Sequence, residues 1–179
     1  MSPINVYGHS KAQAEEGIRK IVPDACVLRT SWLFGAVGNC FPNKILEIAQ
    51  SRNTIPVVAD QVGCPTYNRD LSRMIVRLMS IGASATIHAT NSNPCSWYEF
   101  AQAILRAAGK TEVAVTPVHS EEFPRPARRP KYSVLSAASA EALGIRPRPW
   151  QEALKDYFVD RDLALAESRQ LARGGSICQ

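Results

Sequence analysis

The stretch Cys26-Val27-Leu28-Arg29-Thr30-Ser31-Trp32-Leu33-Phe34-Gly35 decides how the fold is read. It is apolar, it has the residue types of a strand, and Gly35 closes it. It reads as one buried strand followed by a turn. A strand this apolar needs neighbours on both sides. Upstream there is only one other element. Residues 5–20 are rich in helix formers (Lys11, Ala12, Gln13, Ala14, Glu15, Glu16), and Pro23 is the stop. The first strand therefore arrives only after a helix, and the chain is expected to begin in the middle of a fold.

Working downstream, strands and helices alternate. Phe41, Ile45, Ile48 and Ala49 have helical spacing, Ile55 to Val58 is a short strand, and Asp60 to Tyr67 is a loop. Leu71, Met74, Ile75, Leu78 and Met79 form an apolar stripe on a helix capped by Asn68 or Asp70 and ended by Gly82. Thr86 to Ala89 is a strand. Ser96-Trp97-Tyr98-Glu99 matches a capping box, and its helix runs through Phe100, Ile104 and Leu105 to Gly109. Val113 to Val118 is a strand, residues 124–135 are a proline-rich loop, and short helices follow near 139–143 and from about 150. About four short strands alternating with helices make an α/β fold with at least partly parallel strands. Residues 1–165 are taken as the folded part and 166–179 as a frayed tail.

The 179 residues suffice for one domain with a core of its own. Hydrophobic residues make up 45% and charged residues 21%, which excludes global disorder. No apolar run approaches the about 18–20 residues of a membrane span, and the N-terminus lacks the basic and apolar regions of a signal peptide. A cytoplasmic protein with no membrane partner is expected. The net charge is +5. The basic residues are scattered, apart from Arg125, Arg128, Arg129 and Lys131 in the proline-rich loop. Without aromatic and basic residues interleaved, no nucleic-acid partner is expected. The five cysteines and three histidines show no metal-ligand spacing.

One pair carries chemistry. Tyr7 and Lys11 are four apart, so on a helix they share a face. A tyrosine is a weak acid at neutral pH, but an ammonium one turn away favours the phenolate. Such a pair can give a proton to an alkoxide as a hydride reaches a carbonyl carbon. The spacing alone is also that of an ordinary surface pair.

The pair does not stand alone. Asn5-Val6-Tyr7-Gly8, Ser10-Lys11 and Glu15 precede Leu28-Arg29-Thr30-Ser31-Trp32-Leu33-Phe34-Gly35. Then come Asp60-Gln61, Gly63 and Pro65-Thr66, next Ser96-Trp97-Tyr98-Glu99-Phe100-Ala101, and last Pro126-Ala127, Arg129-Pro130, Ser133 and Leu135. Over residues 3–160 this ordered set resembles the dTDP-4-dehydrorhamnose reductase family of extended short-chain dehydrogenase/reductases. The resemblance implies reduction of the C4 ketone of dTDP-4-dehydro-L-rhamnose by NADH or NADPH, in nucleotide-sugar biosynthesis. It implies that Tyr7 is the proton donor and that Lys11 binds the nicotinamide ribose, so that both also touch the cofactor. It implies that Trp32 packs on the substrate and that Arg128 or Arg129 contacts the nucleotide diphosphate. A core tryptophan and a structural salt bridge are the plainer readings of these last positions. Asp60 and Gln61 are expected to organise a loop, and Trp97 and Phe100 to be core.

The chain departs from that family in three ways, one being that the Ser/Thr partner of the family's tyrosine, which lies upstream there, is absent. No Gly-x-Gly-x-x-Gly or Gly-x-x-Gly-x-x-Gly occurs in it, although a pyrophosphate needs such a turn for close backbone approach. Cys40 stands before Phe41 where the family often has Asn. The expected fold is therefore the C-terminal part of a Rossmann-like fold plus a small substrate-binding lobe, without the N-terminal dinucleotide-binding half. Weak or no activity of the chain alone is expected, with a missing half or self-association through exposed sheet as the partner. The competing reading is a non-catalytic binding or regulatory subunit.

Overall fold

The computed structural model describes residues 2–123 and 126–174. Helix α1 (Val6–Ile21) comes first. Asn5 caps it, its Oδ1 accepting from the Gly8 N–H at 2.7 Å, and Arg19 and Lys20 face the negative end of the helix dipole. The helix buries none of its residues.

The long apolar run that follows is not one strand. It splits into β1 (Val27–Arg29) and β2 (Leu33–Phe34). The cause is Trp32, whose φ of 46° lies in the left-handed region that a bulky side chain rarely enters. The extended run breaks there, and the two pieces pair with different partners. Among the described residues there are eight short strands, not about four, in four two-stranded sheets. β1 pairs in parallel with β6 (Thr86–His88), and β2 in parallel with β5 (Thr66–Tyr67). β3 (Thr54–Val58) pairs in parallel with β8 (Ala114–Val118) over five residues. β4 (Val62–Gly63) runs antiparallel to β7 (Cys95–Ser96). The segment expected as a plain loop over 60–67 thus carries both β4 and β5. Alternation of parallel strands with helices makes the fold α/β, as the sequence implied.

The helices between the strands bury one stripe each. α2 (Phe41–Ile48) buries Pro42, Ile45 and Leu46. α3 (Asn68–Ser80) buries Met74 and Leu78, while Met79, expected on the stripe, is 75% exposed. Its N-cap is Tyr67 with no side-chain bond, in place of Asn68 or Asp70, because the Asp70 carboxylate is engaged by Arg148 instead. α4 (Trp97–Ala107) has the expected capping box: the Ser96 Oγ accepts from the Glu99 N–H at 3.1 Å, and the Ser96 N–H donates to Glu99 at 2.7 Å. α5 (Ala138–Glu141) is short, and α6 (Trp150–Gly174) is not, running 25 residues. Its first turns bury Trp150, Ala153, Leu154 and Tyr157. Its backbone stays helical over 166–174, and residues 175–179 lie outside the described part.

The main core gathers Phe34, Ile45, Leu46, Ile55, Tyr67, Phe100, Ile104, Leu154 and Tyr157. A smaller one joins Met74, Leu78, Ile87, Ala89 and Ala140. A polar tie joins β5 to α6 beside the main core. The Tyr67 hydroxyl donates to Asp160, which holds that carboxyl below its ordinary range, and burial, then the Asp160 charge, pushes the phenol up. No helix of the described residues is long and apolar enough to cross a membrane.

Candidate functional site

Helix α1 holds the Tyr7–Lys11 pair in the geometry that its spacing demands. The Lys11 Nζ lies 5.4 Å from the centre of the Tyr7 ring, within the range of a cation–π contact. The ring is 70% exposed, so its hydroxyl is open to a ligand. One turn further along, Glu15 clamps the helix to β1. Its two oxygens accept from the Arg29 Nε at 2.8 Å and Nη2 at 2.6 Å. Arg19 adds a hydrogen bond to Thr86 on β6. With nothing of α1 buried, these polar contacts do what apolar packing does for the other helices.

The clamp has a pH dependence whose sign follows from its cause. The hydrogen bond from Arg29 holds the Glu15 carboxyl below its ordinary value of 4.5. A carboxyl lowered in the folded state stabilises above its unfolded value, and that contribution disappears as pH falls through the folded value. The pair is partly open to water, so it is worth about 1 kcal/mol. Below pH 4.5, α1 is expected to lose amide hydrogen-exchange protection while α4 keeps it, and Glu15→Gln should remove the difference between acid and neutral pH. Simultaneous loss of protection in both helices would contradict this.

Beside the foot of α1 lies a cleft of about 1130 Å³. One wall is apolar, built from Phe41, Ile45 and Ile48 of α2, residues 55–58 of β3, and Trp97. The other is the 126–132 segment, which brings Arg128 and Arg129, with Lys44 across on α2. Both arginines are exposed, so their guanidinium groups are available. Asn5 joins helix and cleft: besides capping α1, its Nδ2 donates to the Arg128 carbonyl at 2.7 Å. Asp60 organises the neighbouring turn. Burial pushes its carboxyl up, but bonds from the Ser120 N–H at 2.9 Å and Oγ at 2.8 Å prevail and hold it low. Gln61 lines the cleft beside it.

The structure thus brings Arg128, Arg129 and the start of α1 together. Ile4 lines the cleft, while Tyr7 and Lys11 stand on the helix just beyond its lining. Trp32 is half-buried and does not line the cleft either. It lies flat against Trp97, with ring centroids 3.5 Å apart and planes 10° from parallel. Trp97 is the member of this pair that faces the cleft, with Phe41 tilted against it at 4.5 Å. Phe100 is core, as expected; Trp97, expected there too, is half-buried and forms wall. Gly63 makes the stack possible: a Cβ there would sit 2.5 Å from the Trp32 ring. Sequence reasoning passed over Asn5, Phe41, Lys44 and Trp97. An asparagine just before a helix is a recognisable cap, but nothing local reveals that its other end reaches residue 128.

A dinucleotide finds part of what it needs here. An exposed phenol and ammonium side by side suit the hydroxyls of a ribose and the nicotinamide end. No glycine-rich pyrophosphate turn exists in the 179 residues. Among the described residues no cluster of His, Cys, Asp and Glu could hold a metal ion. Cys26, Cys40, Cys64 and Cys95 are free thiols.

Comparison with known proteins places this geometry. The family model described as the RmlD substrate binding domain matches residues 1–162. The chain is similar to the spore coat polysaccharide biosynthesis protein SpsK of Bacillus subtilis, with 42% identity over 164 residues that are 92% of this chain and 57% of that protein. Among solved structures, a dTDP-4-dehydrorhamnose reductase of Clostridium acetobutylicum superposes with a TM-score of 0.86 at 38% identity, covering 92% of this chain and 57% of that one. The dTDP-4-dehydrorhamnose reductase of Bacillus anthracis, solved in complex with NADP, does so with a TM-score of 0.83 at 39% identity, covering 89% and 56%. The chain spans about half the length of the curated relatives it matches.

Proposed function

The chain belongs to the RmlD substrate binding domain family, and from that premise we propose that it supplies the sugar-nucleotide cleft and the proton-donating helix of a dTDP-sugar 4-ketoreductase. The reaction is reduction of the C4 ketone of dTDP-4-dehydro-L-rhamnose to the alcohol of dTDP-L-rhamnose. The observation that carries this reading is the cleft itself, where an apolar wall faces two exposed arginines and Asn5 ties their loop to the helix of Tyr7 and Lys11.

NADPH or NADH, when bound, supplies the hydride that reaches C4. The Tyr7 hydroxyl gives its proton to the C4 oxygen, so that carbon and oxygen together gain the elements of H₂. The Lys11 ammonium, over the Tyr7 ring, stabilises the phenolate left behind and bonds the ribose hydroxyls. Arg128 and Arg129 take the diphosphate, because a planar guanidinium meets two phosphate oxygens at once. Phe41 and Trp97 offer flat apolar surface to the base and sugar, and Trp32 supports that wall from behind. Without a glycine-rich turn, the chain alone grips a dinucleotide only at its nicotinamide end and turns over weakly.

Calorimetric titration with dTDP and with dTDP-L-rhamnose tests the cleft directly. Saturable binding is expected, weakened at least about tenfold by Arg128→Ala combined with Arg129→Ala, since each charge-assisted pair is worth about 1.5–3 kcal/mol. Binding that ignores both arginines, or no binding at all, would remove the reading.

A further inference from the structure

A second, smaller cleft of about 310 Å³ lies between α3 and the 145–148 segment, and it shares no lining residue with the first. Its lining is basic: Arg73, Arg77, Arg146 and Arg148 face it together with Asp70. The carboxylate does not neutralise this set. Asp70 already accepts from the Arg148 Nε and Nη2 at 2.8 and 2.9 Å and from the Asn91 Nδ2 at 2.8 Å, with Arg73 at 3.7 Å. Arg148 is shared further with Asp156. The guanidinium groups of Arg77 and Arg146 have no hydrogen bond or ion pair with any described residue. On the cleft's buried side stands Thr66, which is only 1% exposed and whose Oγ1 is buried without a hydrogen-bond partner. A buried hydroxyl left unpaired is costly and rare in a folded protein. The arginines at the mouth that no described residue pairs are complementary to one kind of guest, an anion.

We propose that this cleft binds a small phosphoryl anion, its oxygens held by the forks of Arg77 and Arg146. A guanidinium fits two phosphate oxygens at once. The volume is at the small end of ligand pockets, about 300–1,000 Å³, and suits a sugar phosphate or free phosphate and not a dinucleotide. The floor of this cleft is also tied to the Trp32–Trp97 stack: the Thr66 N–H donates to the Trp32 carbonyl at 3.1 Å. None of this depends on the reductase reading.

The test is calorimetry at low ionic strength in the Arg128→Ala/Arg129→Ala background, so that the larger cleft's arginines do not contribute. The probes are inorganic phosphate and ribose 5-phosphate, with chloride as the control. One-site saturable binding is expected, at least tenfold weaker after adding Arg77→Ala and Arg146→Ala. Tighter binding of ribose 5-phosphate identifies an organic phosphate as the guest, and equal binding identifies phosphate itself. Absence of saturable binding, or binding indifferent to Arg77 and Arg146, overturns the proposal. These two arginines are exposed, so their variants decide the matter without disturbing the core.

Discussion

Tyr7→Phe is expected to lower kcat by about 10²–10⁴-fold while leaving sugar-nucleotide affinity nearly unchanged, the range typical of a lost general acid. The substitution keeps the ring that Lys11 covers and removes only the hydroxyl. No core contact is at risk, because the side chain is 70% exposed and α1 buries nothing. A fall in kcat with constant KM separates loss of the proton from loss of binding. The measurement needs a reductase assembled around this chain, for example with the remaining portion of the solved Bacillus anthracis relative joined to it. Near-normal turnover would return Tyr7 and Lys11 to the status of a surface pair.

The second large effect is expected at Gly63, on packing instead of proton transfer. Its alanine Cβ would lie 2.5 Å from the Trp32 Cε2 and 2.8 Å from the neighbouring ring atoms. The indole has little room to yield. It already lies at 3.5 Å on Trp97, and its backbone is held at φ 46° with its carbonyl bonded to the Thr66 N–H. Overpacking of this kind costs about 1–3 kcal/mol. Gly63→Ala should therefore unfold at lower denaturant and lose the near-ultraviolet circular dichroism of two stacked indoles. Adding Trp32→Ala should recover part of the loss, so that the double variant is less destabilised than the two singles predict. Full stability with an unchanged spectrum would show that the stack does not depend on the glycine.

What could be read from the sequence was local. The capping box at Ser96 and Glu99 and the four-residue step from Tyr7 to Lys11 each lie within a turn of helix, so chain order alone contains them. The split of 26–34 could not be read, because the left-handed turn at Trp32 is imposed from outside, by Thr66 34 positions away and by Trp97. Arg128 and Arg129 could be named as candidates from their type, and the structure adds the cleft they line. Trp97 was hidden by its company. It sits among core residues in sequence, yet the cap at Ser96 makes it the first residue of α4, at the helix end, where a side chain meets the rim. Helix α3 shows the same limit, since its stripe was legible and the diversion of Asp70 to Arg148 was not.

The strand pairings have a consequence for dividing this protein in two. No strand pairs with its immediate neighbour in sequence. Val27 meets Thr86, Leu33 meets Thr66, Thr54 meets Ala114 and Val62 meets Ser96, so the four ladders overlap along the chain like links. A cut anywhere from Thr30 to Val113 separates the partners of at least one ladder and leaves each fragment with an open edge. A cut in the 126–137 loop leaves all four ladders in one piece, crossed by the bridges from Val62 to Tyr132 and from Ser92 to Pro149, by the Arg148–Asp70 ion pair and by the α5 and α6 docking contacts. For a split reporter or an inserted domain, the loop bearing the two cleft arginines is therefore a seam that spares every ladder, and the cleft itself would sense whether the halves have rejoined.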